Sequence, residues 1–132
     1  MMLAAKPVNT VNAVRQGGSR MATMERWTQV FTSDKAWTIQ IENEQQWDAI
    51  EQRLGGFPAK RRYRPVEDRE EGGVLIWERE WENRELMDAA YERLMSSAEV
   101  KALGEETRAR LQTAGLDKLV ADGTREYFLV LD

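Results

Sequence analysis

The sequence predicts one α+β domain whose strands and helices follow in the order βαββαβ. Its 132 residues are enough for one domain around one core. Apolar residues make up 42% of the chain and charged residues 32%, which is the balance of a folded globular protein. Two kinds of segment follow one another along the chain. In one kind, apolar and polar residues alternate, and in the other, apolar residues recur at helical spacing. These observations predict an antiparallel sheet with helices on one face.

Residues 1–24 are predicted to form a flexible segment before a domain of residues 25–132. The segment contains no acidic residue, and Gly17 and Gly18 interrupt it. It shows neither the period of a strand nor that of a helix, although its spaced arginines leave a targeting presequence as an alternative. The whole chain has a net charge of −4, so residues 25–132 are clearly acidic.

The first part of the domain is predicted to contain two short strands and a helix. Trp27–Thr32 is the first strand, and Trp37–Glu42 alternates as a strand with one buried face. Asn43 then caps a helix that Gly55 and Gly56 end. The apolar residues of this helix have helical spacing; they are Trp47, Ile50 and Leu54. One helix from about residue 35 is the less favoured alternative, because it places Trp37 and Ile41 off the apolar stripe.

The second part is predicted to contain a hairpin, a helical region and a last strand. The hairpin strands are 60–66 and 74–82, on either side of an acidic loop that ends in glycine. Asn83 caps the helical region, which restarts near Ser96 and Ser97 and breaks near Gly104. Its inner stripe is expected to comprise Leu86, Ala90, Leu94 and Ala98, flanked by Met87 and Tyr91. The last strand is predicted at residues 125–132.

This order is the split βαβ, or ferredoxin-like, arrangement, in which helices cover one face of a four-stranded antiparallel sheet. The last strand is apolar on both sides, so its second face also needs a cover. In the predicted strand of residues 74–82, Leu75, Trp77 and Trp81 suit the helix side, whereas Val74 and Ile76 suit the second face. We therefore expect a homodimer that packs sheet against sheet, with cover by the N-terminal segment as the alternative.

The same alternation places charged residues on the second face. A register that pairs even positions with even positions sets Arg62 near Glu78 and Lys60 near Glu80. A shift of one residue would move the whole set to the other face. The candidate ligand-binding residues are Arg62, Arg64, Ile76, Glu78 and Glu80. A carboxylate there would act as a base and an arginine would hold an anionic oxygen, unless these residues are simply cross-strand ion pairs.

Composition excludes several classes of site. The chain has no cysteine and no histidine, which removes thiolate chemistry, ordinary zinc sites and Ser-His triads. We expect no metal and no cofactor. The basic run Lys60–Arg64 does not predict nucleic acid binding, because the RNA-recognition signature is absent and neighbouring acids would repel phosphate. No apolar run is long enough to span a bilayer, and the expected location is the cytoplasm.

The stretch GGVLIWEREWENRELMD, followed by AAYERLMSSAEVKAL, resembles the dimeric α/β-barrel superfamily, in particular its antibiotic-biosynthesis-monooxygenase-like and NIPSNAP-like groups. The shared pattern is a strand ending in acidic and aromatic residues, a short polar corner and an amphipathic helix. The likeness covers roughly residues 36–132. It implies ferredoxin-like protomers, two of which close a barrel around a cavity. Members include cofactor-independent monooxygenases, isomerases and haem-degrading enzymes, and the absence of histidine argues against haem.

Two functions follow from these observations. The first is a dimeric barrel that binds a small apolar or aromatic compound and oxidises or isomerises it without a cofactor. The second is a non-catalytic homodimeric interaction module whose inner face is filled by side chains. The tryptophans are expected mainly in the core, and Tyr63 and Tyr91 offer phenols that donate to a substrate oxygen. No catalytic residue is assigned.

Overall fold

The structure, a computed structural model, describes residues 21–67 and 71–131. In chain order, its elements are β1 (Thr23–Phe31), α1 (Asp34–Leu54), β2 (Arg61–Tyr63), β3 (Val74–Trp81), α2 (Arg84–Met95), α3 (Ala98–Ala114) and β4 (Val120–Leu129). The strands form one antiparallel sheet in the order β2-β3-β1-β4. The predicted ferredoxin-like α+β fold is confirmed, with two helices in the second helical region.

β1 lies in the middle of the sheet and pairs along its length with both β3 and β4. Its register sets Thr23 opposite Trp81 on one side and opposite Leu129 on the other. The sequence predicts that this strand starts at Trp27, but in the structure it already starts at Thr23. Residues 1–20 of the predicted flexible segment lie outside the described residues, and Thr23 and Met24 belong to β1.

Helix α1 corrects the strand predicted at residues 37–42. The helix begins after Ser33, whose Oγ accepts a hydrogen bond from the Ala36 amide at 3.2 Å. Asn43 is therefore buried inside the helix and is not its cap. The less favoured alternative, one long helix, is the observed structure. The search for an apolar stripe gave the wrong prediction here because the inner face of α1 is partly polar. The buried residues of α1 are Ala36, Ile39, Gln40, Asn43, Glu44, Ile50 and Glu51.

The second helical region consists of two capped helices. Asn83 Oδ1 accepts from the Leu86 amide at 2.9 Å, which confirms the predicted cap of α2. Leu86 is 48% exposed and Ala98 is exposed as well, so the predicted inner stripe is wrong at both positions. The buried residues of α2 are Met87, Ala90 and Leu94. The restart is confirmed, because Ser97 caps α3, but α3 continues through Gly104 without the predicted break.

The two faces of the sheet follow the alternation of the strands. In β3, Leu75, Trp77 and Trp81 are buried beneath the helices, as predicted. Val74 and Ile76 alternate with them and lie on the opposite side, which we call the open face. β4 begins at Val120 and ends at Leu129, so the predicted strand of residues 125–132 lies too far along the chain.

The hairpin register differs from the prediction by one residue. Arg61 is opposite Glu78, Arg62 is opposite Trp77, and Tyr63 is opposite Ile76. The predicted pairing of Arg62 with Glu78 is therefore wrong. Arg62 lies on the helix side of the sheet, where carboxylates of α1 pair with it. A pattern of alternation fixes the faces of a strand only once the register is known, and the connecting loop sets that register.

Candidate ligand-binding site

A cavity of about 160 Å³ lies between the helix side of the sheet and helices α1 and α2. Every strand or its flank contributes to the walls, and α1 and α2 close them. The lining residues are Trp27, Gln40, Glu44, Trp47, Glu51, Lys60, Trp77, Arg79, Tyr91, Leu94, Met95 and Arg125. The cavity therefore lies within a single chain, whereas the sequence analysis placed the candidate ligand-binding residues on the second face of the sheet, the open face.

Aromatic rings form much of the cavity wall. Trp27 of β1 and Trp77 of β3 are cross-strand partners, and their rings meet edge to face with centroids 5.7 Å apart. Trp47 comes from α1, and Tyr91 and Leu94 come from α2. Apolar walls with a few fixed polar groups are the usual form of a small-molecule pocket.

Arg79 is the centre of a buried ion network beside this wall. Its guanidinium donates to Glu25 Oε1 at 3.1 Å and to Glu51 Oε1 at 2.8 Å. It also donates to the Tyr91 hydroxyl at 2.7 Å. Burial alone would lower the pKa of Arg79, but Tyr91, Glu25 and Glu51 outweigh it and raise the pKa above the ordinary arginine value. Arg79 is a permanent cation inside the core.

Tyr91 is a neutral phenol at working pH. Burial raises its pKa well above the ordinary value, and Glu25 adds to the rise; the nearby cations Arg79 and Arg125 only partly oppose it. The hydroxyl donates to Glu25 Oε2, and Trp81 Nε1 donates to Glu25 Oε1 at 2.9 Å. Glu25 is thus fully held by donors.

Lys60 and Arg62 extend the network towards the surface. The Lys60 side chain is 5% exposed, and its Nζ lies 3.7 Å from Glu51 Oε2 and 4.6 Å from the Trp77 ring centroid. Arg62 Nη2 lies 2.7 Å from Glu44 Oε1 and 2.9 Å from Asp48 Oδ2. Burial opposes the charge of Arg62, but these two carboxylates raise its pKa. The cavity carboxylates Glu44 and Glu51 are therefore both paired with cations.

Arg125 of β4 differs from the other cavity cations. Its guanidinium stacks 4.2 Å from the Trp27 ring centroid and 5.7 Å from that of Tyr91. Burial raises the pKa of Tyr127, and Arg125 acts against that rise. Within residues 21–67 and 71–131, no carboxylate oxygen lies within 4.0 Å of Arg125.

The structure does not bring the five predicted ligand-binding residues together. Arg62 and Arg64 lie on the helix side, where Arg64 stacks 4.2 Å from the Trp37 ring centroid. Ile76, Glu78 and Glu80 lie on the open face. None of the five lines the cavity, and their role in ligand binding stays a prediction.

On the open face, the charges form cross-strand contacts. Arg26 Nε donates to Glu78 Oε2 at 2.8 Å, and the Tyr63 hydroxyl lies 3.3 Å from Glu78 Oε1. Arg26 also lies 5.0 Å from the Phe128 ring centroid. Glu78 therefore forms a cross-strand ion pair, but its partner is Arg26 and not Arg62, the partner that the simpler interpretation of the sequence expected.

Sequence reasoning missed Glu25, Glu51 and Arg79. The signal was present in β3, where Arg79 occupies the same alternating row as Trp77 and Trp81. A charged residue in a buried row requires an opposite charge nearby. Glu25 meets this need directly, because it is the cross-strand partner of Arg79.

In the part of the chain that the structure describes, no group of three or more acidic side chains is arranged to hold a metal ion. No described helix is long and apolar enough to cross a membrane.

Comparisons with known proteins give structural likeness only. No family model matches the chain, and no curated protein matches it in sequence. A NIPSNAP-like domain protein from Burkholderia xenovorans superposes with a TM-score of 0.61 at 9% identity, over 85% of this chain and 87% of its own. A dimeric ferredoxin-like protein from an uncultured marine organism gives 0.60 at 10% identity, over 89% and 95%.

SnoaB from Streptomyces nogalater, a cofactor-independent oxygenase, superposes with a TM-score of 0.52 at 12% identity, over 86% of this chain and 95% of its own. At these identities the likeness establishes the fold and not the activity. Solved structures of this fold thus include both kinds of protein that the sequence resembles, the NIPSNAP-like kind and the cofactor-independent oxygenases. The chain has the ferredoxin-like fold of these proteins.

Proposed function

We propose that this chain is a homodimeric protein that binds a small apolar or aromatic compound in the cavity between its sheet and helices α1 and α2. One observation carries the proposal: tryptophan and tyrosine rings wall a cavity of about 160 Å³ whose polar groups are already fixed by an ion network. Polar groups held in place before binding do not have to be ordered by the ligand, which favours affinity.

Binding is tested by calorimetry with a series of monocyclic and bicyclic phenols. Met95 lines the cavity near its exposed side, so Met95→Phe should narrow the cavity and weaken binding at least tenfold. Leu86→Phe is the matched control, because Leu86 lies on the same helix, is 48% exposed and does not line the cavity. Equal loss in both variants, or no binding by any phenol, would contradict the proposed site.

We propose further that the bound compound is oxidised by molecular oxygen or isomerised without a cofactor. The likeness in fold to SnoaB supports this step. Conversion of a CH₂ group to a carbonyl by O₂ releases one water, so both electron pairs come from the substrate and no other reductant is needed. Glu44 and Glu51 are the carboxylates that line the cavity, and they are our candidates for the base that takes the substrate proton.

Oxygen consumption by the purified protein tests this step with each compound that binds. Turnover should persist after treatment with a chelator and without added flavin or nicotinamide. Glu44→Gln and Glu51→Gln each leave a side chain of similar shape, and at least one of them should lower the rate by about 10²–10⁴-fold. Binding without oxygen consumption and without change of the compound would refute the catalytic part alone.

The homodimer is supported by relatives in fold that are themselves dimeric ferredoxin-like proteins. Ile76 lies on the open face, so Ile76→Asp would place an unpaired charge in a sheet-to-sheet interface and should yield a monomer. Leu86→Asp alters an equally large apolar residue on α2 and should leave the dimer intact. Sedimentation at micromolar concentration measures both. A dimeric Ile76→Asp variant would rule out this interface.

The second candidate is the non-catalytic homodimeric module. It is favoured by the full pairing of the cavity carboxylates, because Arg62 holds Glu44 while Arg79 and Lys60 hold Glu51. Such an arrangement also suits a purely structural network. A stable dimer to which none of the phenols binds would support this candidate.

A further inference from the structure

The charges on the cavity wall are unequal. Three cations and two carboxylates line the cavity. Lys60 and Arg79 both pair with Glu51, and Arg62 and Lys60 lie against Glu44. Arg125 is the remaining cation. Among the described residues it stacks on aromatic faces and hydrogen-bonds with the Tyr127 hydroxyl, but it contacts no carboxylate. The wall therefore offers one guanidinium whose charge has no direct counterion.

The ion network places no carboxylate in direct contact with Arg125 among the described residues. Glu25 shares the neighbours Tyr91 and Tyr127 with Arg125, but its oxygens already accept from Arg79, Trp81 and Tyr91. The network's cations Lys60, Arg62 and Arg79 face four carboxylates, so the network has one negative charge in excess. Asp48 is the carboxylate best placed to carry the excess, since its side chain is 44% exposed and in contact with water. Water screens an exposed charge strongly, so Asp48 does little to neutralise Arg125 across the cavity.

A second donor lies on the same wall without an acceptor. The Trp77 side chain is buried, and its indole Nε1 has no hydrogen-bond partner in the described part of the chain. A buried N–H without a partner costs about 1–3 kcal/mol. Because the nitrogen itself is shielded, an acceptor in the cavity would reach it only after the indole ring had shifted. Trp77 and Arg125 both border Trp27, one through ring contact and the other through stacking.

The volume limits the size of the ligand. An apolar cavity of about 150 Å³ is known to hold benzene. The cavity in this protein, at about 160 Å³, is of that size and suits one ring with a small substituent. The N–H groups of a stacked arginine lie in the plane of its guanidinium. The Tyr127 hydroxyl takes part of this hydrogen-bonding capacity, and the remaining N–H groups can meet a carboxylate at two points.

We infer that the ligand is a monocyclic aromatic acid, whose ring lies among Trp27, Trp77 and Tyr91 and whose anionic group is bound by Arg125. The inference rests on the proposed function, since it specifies the compound held in the same cavity. The ligand supplies the missing counterion to Arg125 and the aromatic walls take the ring.

Calorimetric titration of the full-length protein with benzoate and with methyl benzoate tests the inference, because the two probes share a ring and differ in charge. Benzoate should bind at least tenfold more tightly, as expected for a hydrogen-bonded charge in a sheltered site. Arg125→Gln should remove this preference, Arg125→Lys should keep part of it, and Arg108→Gln on the exposed surface of α3 should leave it unchanged. Thermal unfolding verifies that each variant is folded.

The possible outcomes separate this inference from the proposed function. Equal or tighter binding of methyl benzoate, or a preference for benzoate that survives in both Arg125 variants, overturns the role of Arg125 and leaves the aromatic cavity standing. Failure of both probes and of the phenols to bind overturns the proposed function and this inference together. Preference for benzoate that disappears only in Arg125→Gln supports it.

Discussion

Glu25 and Arg79 lie directly opposite each other in β1 and β3, and their side chains form an ion pair of 3.1 Å that is almost completely shielded from water. The pair sits under the aromatic cavity wall and is shared with Glu51 of α1. Ion pairs therefore connect the middle of the sheet to the long helix α1, whereas most domains connect a sheet to its helices through apolar contacts. Removing one member leaves the other charges buried without compensation.

Replacement of Arg79 by methionine should destabilise the protein severely. Glu25 and Glu51 would remain buried without their guanidinium, at a cost of about 3–5 kcal/mol in the free energy of unfolding. Urea unfolding at neutral pH measures the change. Arg108→Met, on the exposed surface of α3, is the control and should stay within about 0.5 kcal/mol of the parent.

A compensated variant checks the cause of that loss. Adding Glu25→Gln and Glu51→Gln to Arg79→Met removes the two negative charges that Arg79 had paired and should recover a substantial part of the lost stability. A triple variant no more stable than Arg79→Met would show that packing of the arginine, and not charge, is what matters.

The raised pKa of Tyr91 predicts that the protein loses stability in alkaline solution. This pKa is raised in the folded state, so above about pH 10 the unfolded chain releases a proton that the folded chain keeps. The stabilisation is fully present below the pKa that Tyr91 has in the unfolded chain. It is lost as the pH rises towards and through the pKa that Tyr91 has in the folded protein. The free energy of unfolding should therefore fall by up to about 1.4 kcal/mol per pH unit for this group. Urea unfolding between pH 9 and pH 11 should show a shallower slope for Tyr91→Phe, and an unchanged slope would contradict this assignment.

The start of α1 is tested at Ser33. Ser33→Ala removes the oxygen that caps the Ala36 amide and should cost about 1 kcal/mol. Ser33→Asp supplies another oxygen that caps well and should restore most of that loss. Thermal unfolding of the two variants decides the matter: equal stability of Ser33→Ala and the parent would place the helix start elsewhere.

Two glycines give opposite predictions for the same substitution. A Cβ on Gly72 would lie 2.5 Å from the Phe31 carbonyl oxygen and 2.5 Å from the Ser33 nitrogen, so Gly72→Ala should destabilise by about 1–3 kcal/mol. A Cβ on Gly104, inside α3, would meet nothing within 4 Å. Gly104→Ala should therefore stabilise by about 0.5–1 kcal/mol. Denaturant midpoints of the two variants should move in opposite directions.

The fold was predictable because its strands alternate and its helices carry recognisable caps. Asn83 and the restart at Ser97 are local signals that need no partner to be recognised. The error in α1 has a specific cause. Gln40 and Asn43 are buried in the helix, so its inner face is not apolar, and the alternation of Trp37 and Ile41 looked like a strand.

The five candidate ligand-binding residues were predicted on one face of the sheet, and the structure divides them between its two faces for a different reason. A shift of one residue in the pairing of β2 with β3 exchanged Arg62 and Arg61 between the two faces. The network around Arg79 needs residues from β1, β3, α1 and α2, which are far apart in the sequence. Charge in a buried row indicates that a partner exists, but only the folded chain shows which residue it is.

The position of β1 governs the order of folding. Thr23 opens the strand, yet it pairs with Leu129, close to the end of the final strand. The middle of the sheet is therefore incomplete until Leu129 has been synthesised, and one side of β1 stays unpaired until then. Contacts so distant in sequence make folding slow and leave the nascent chain prone to aggregation.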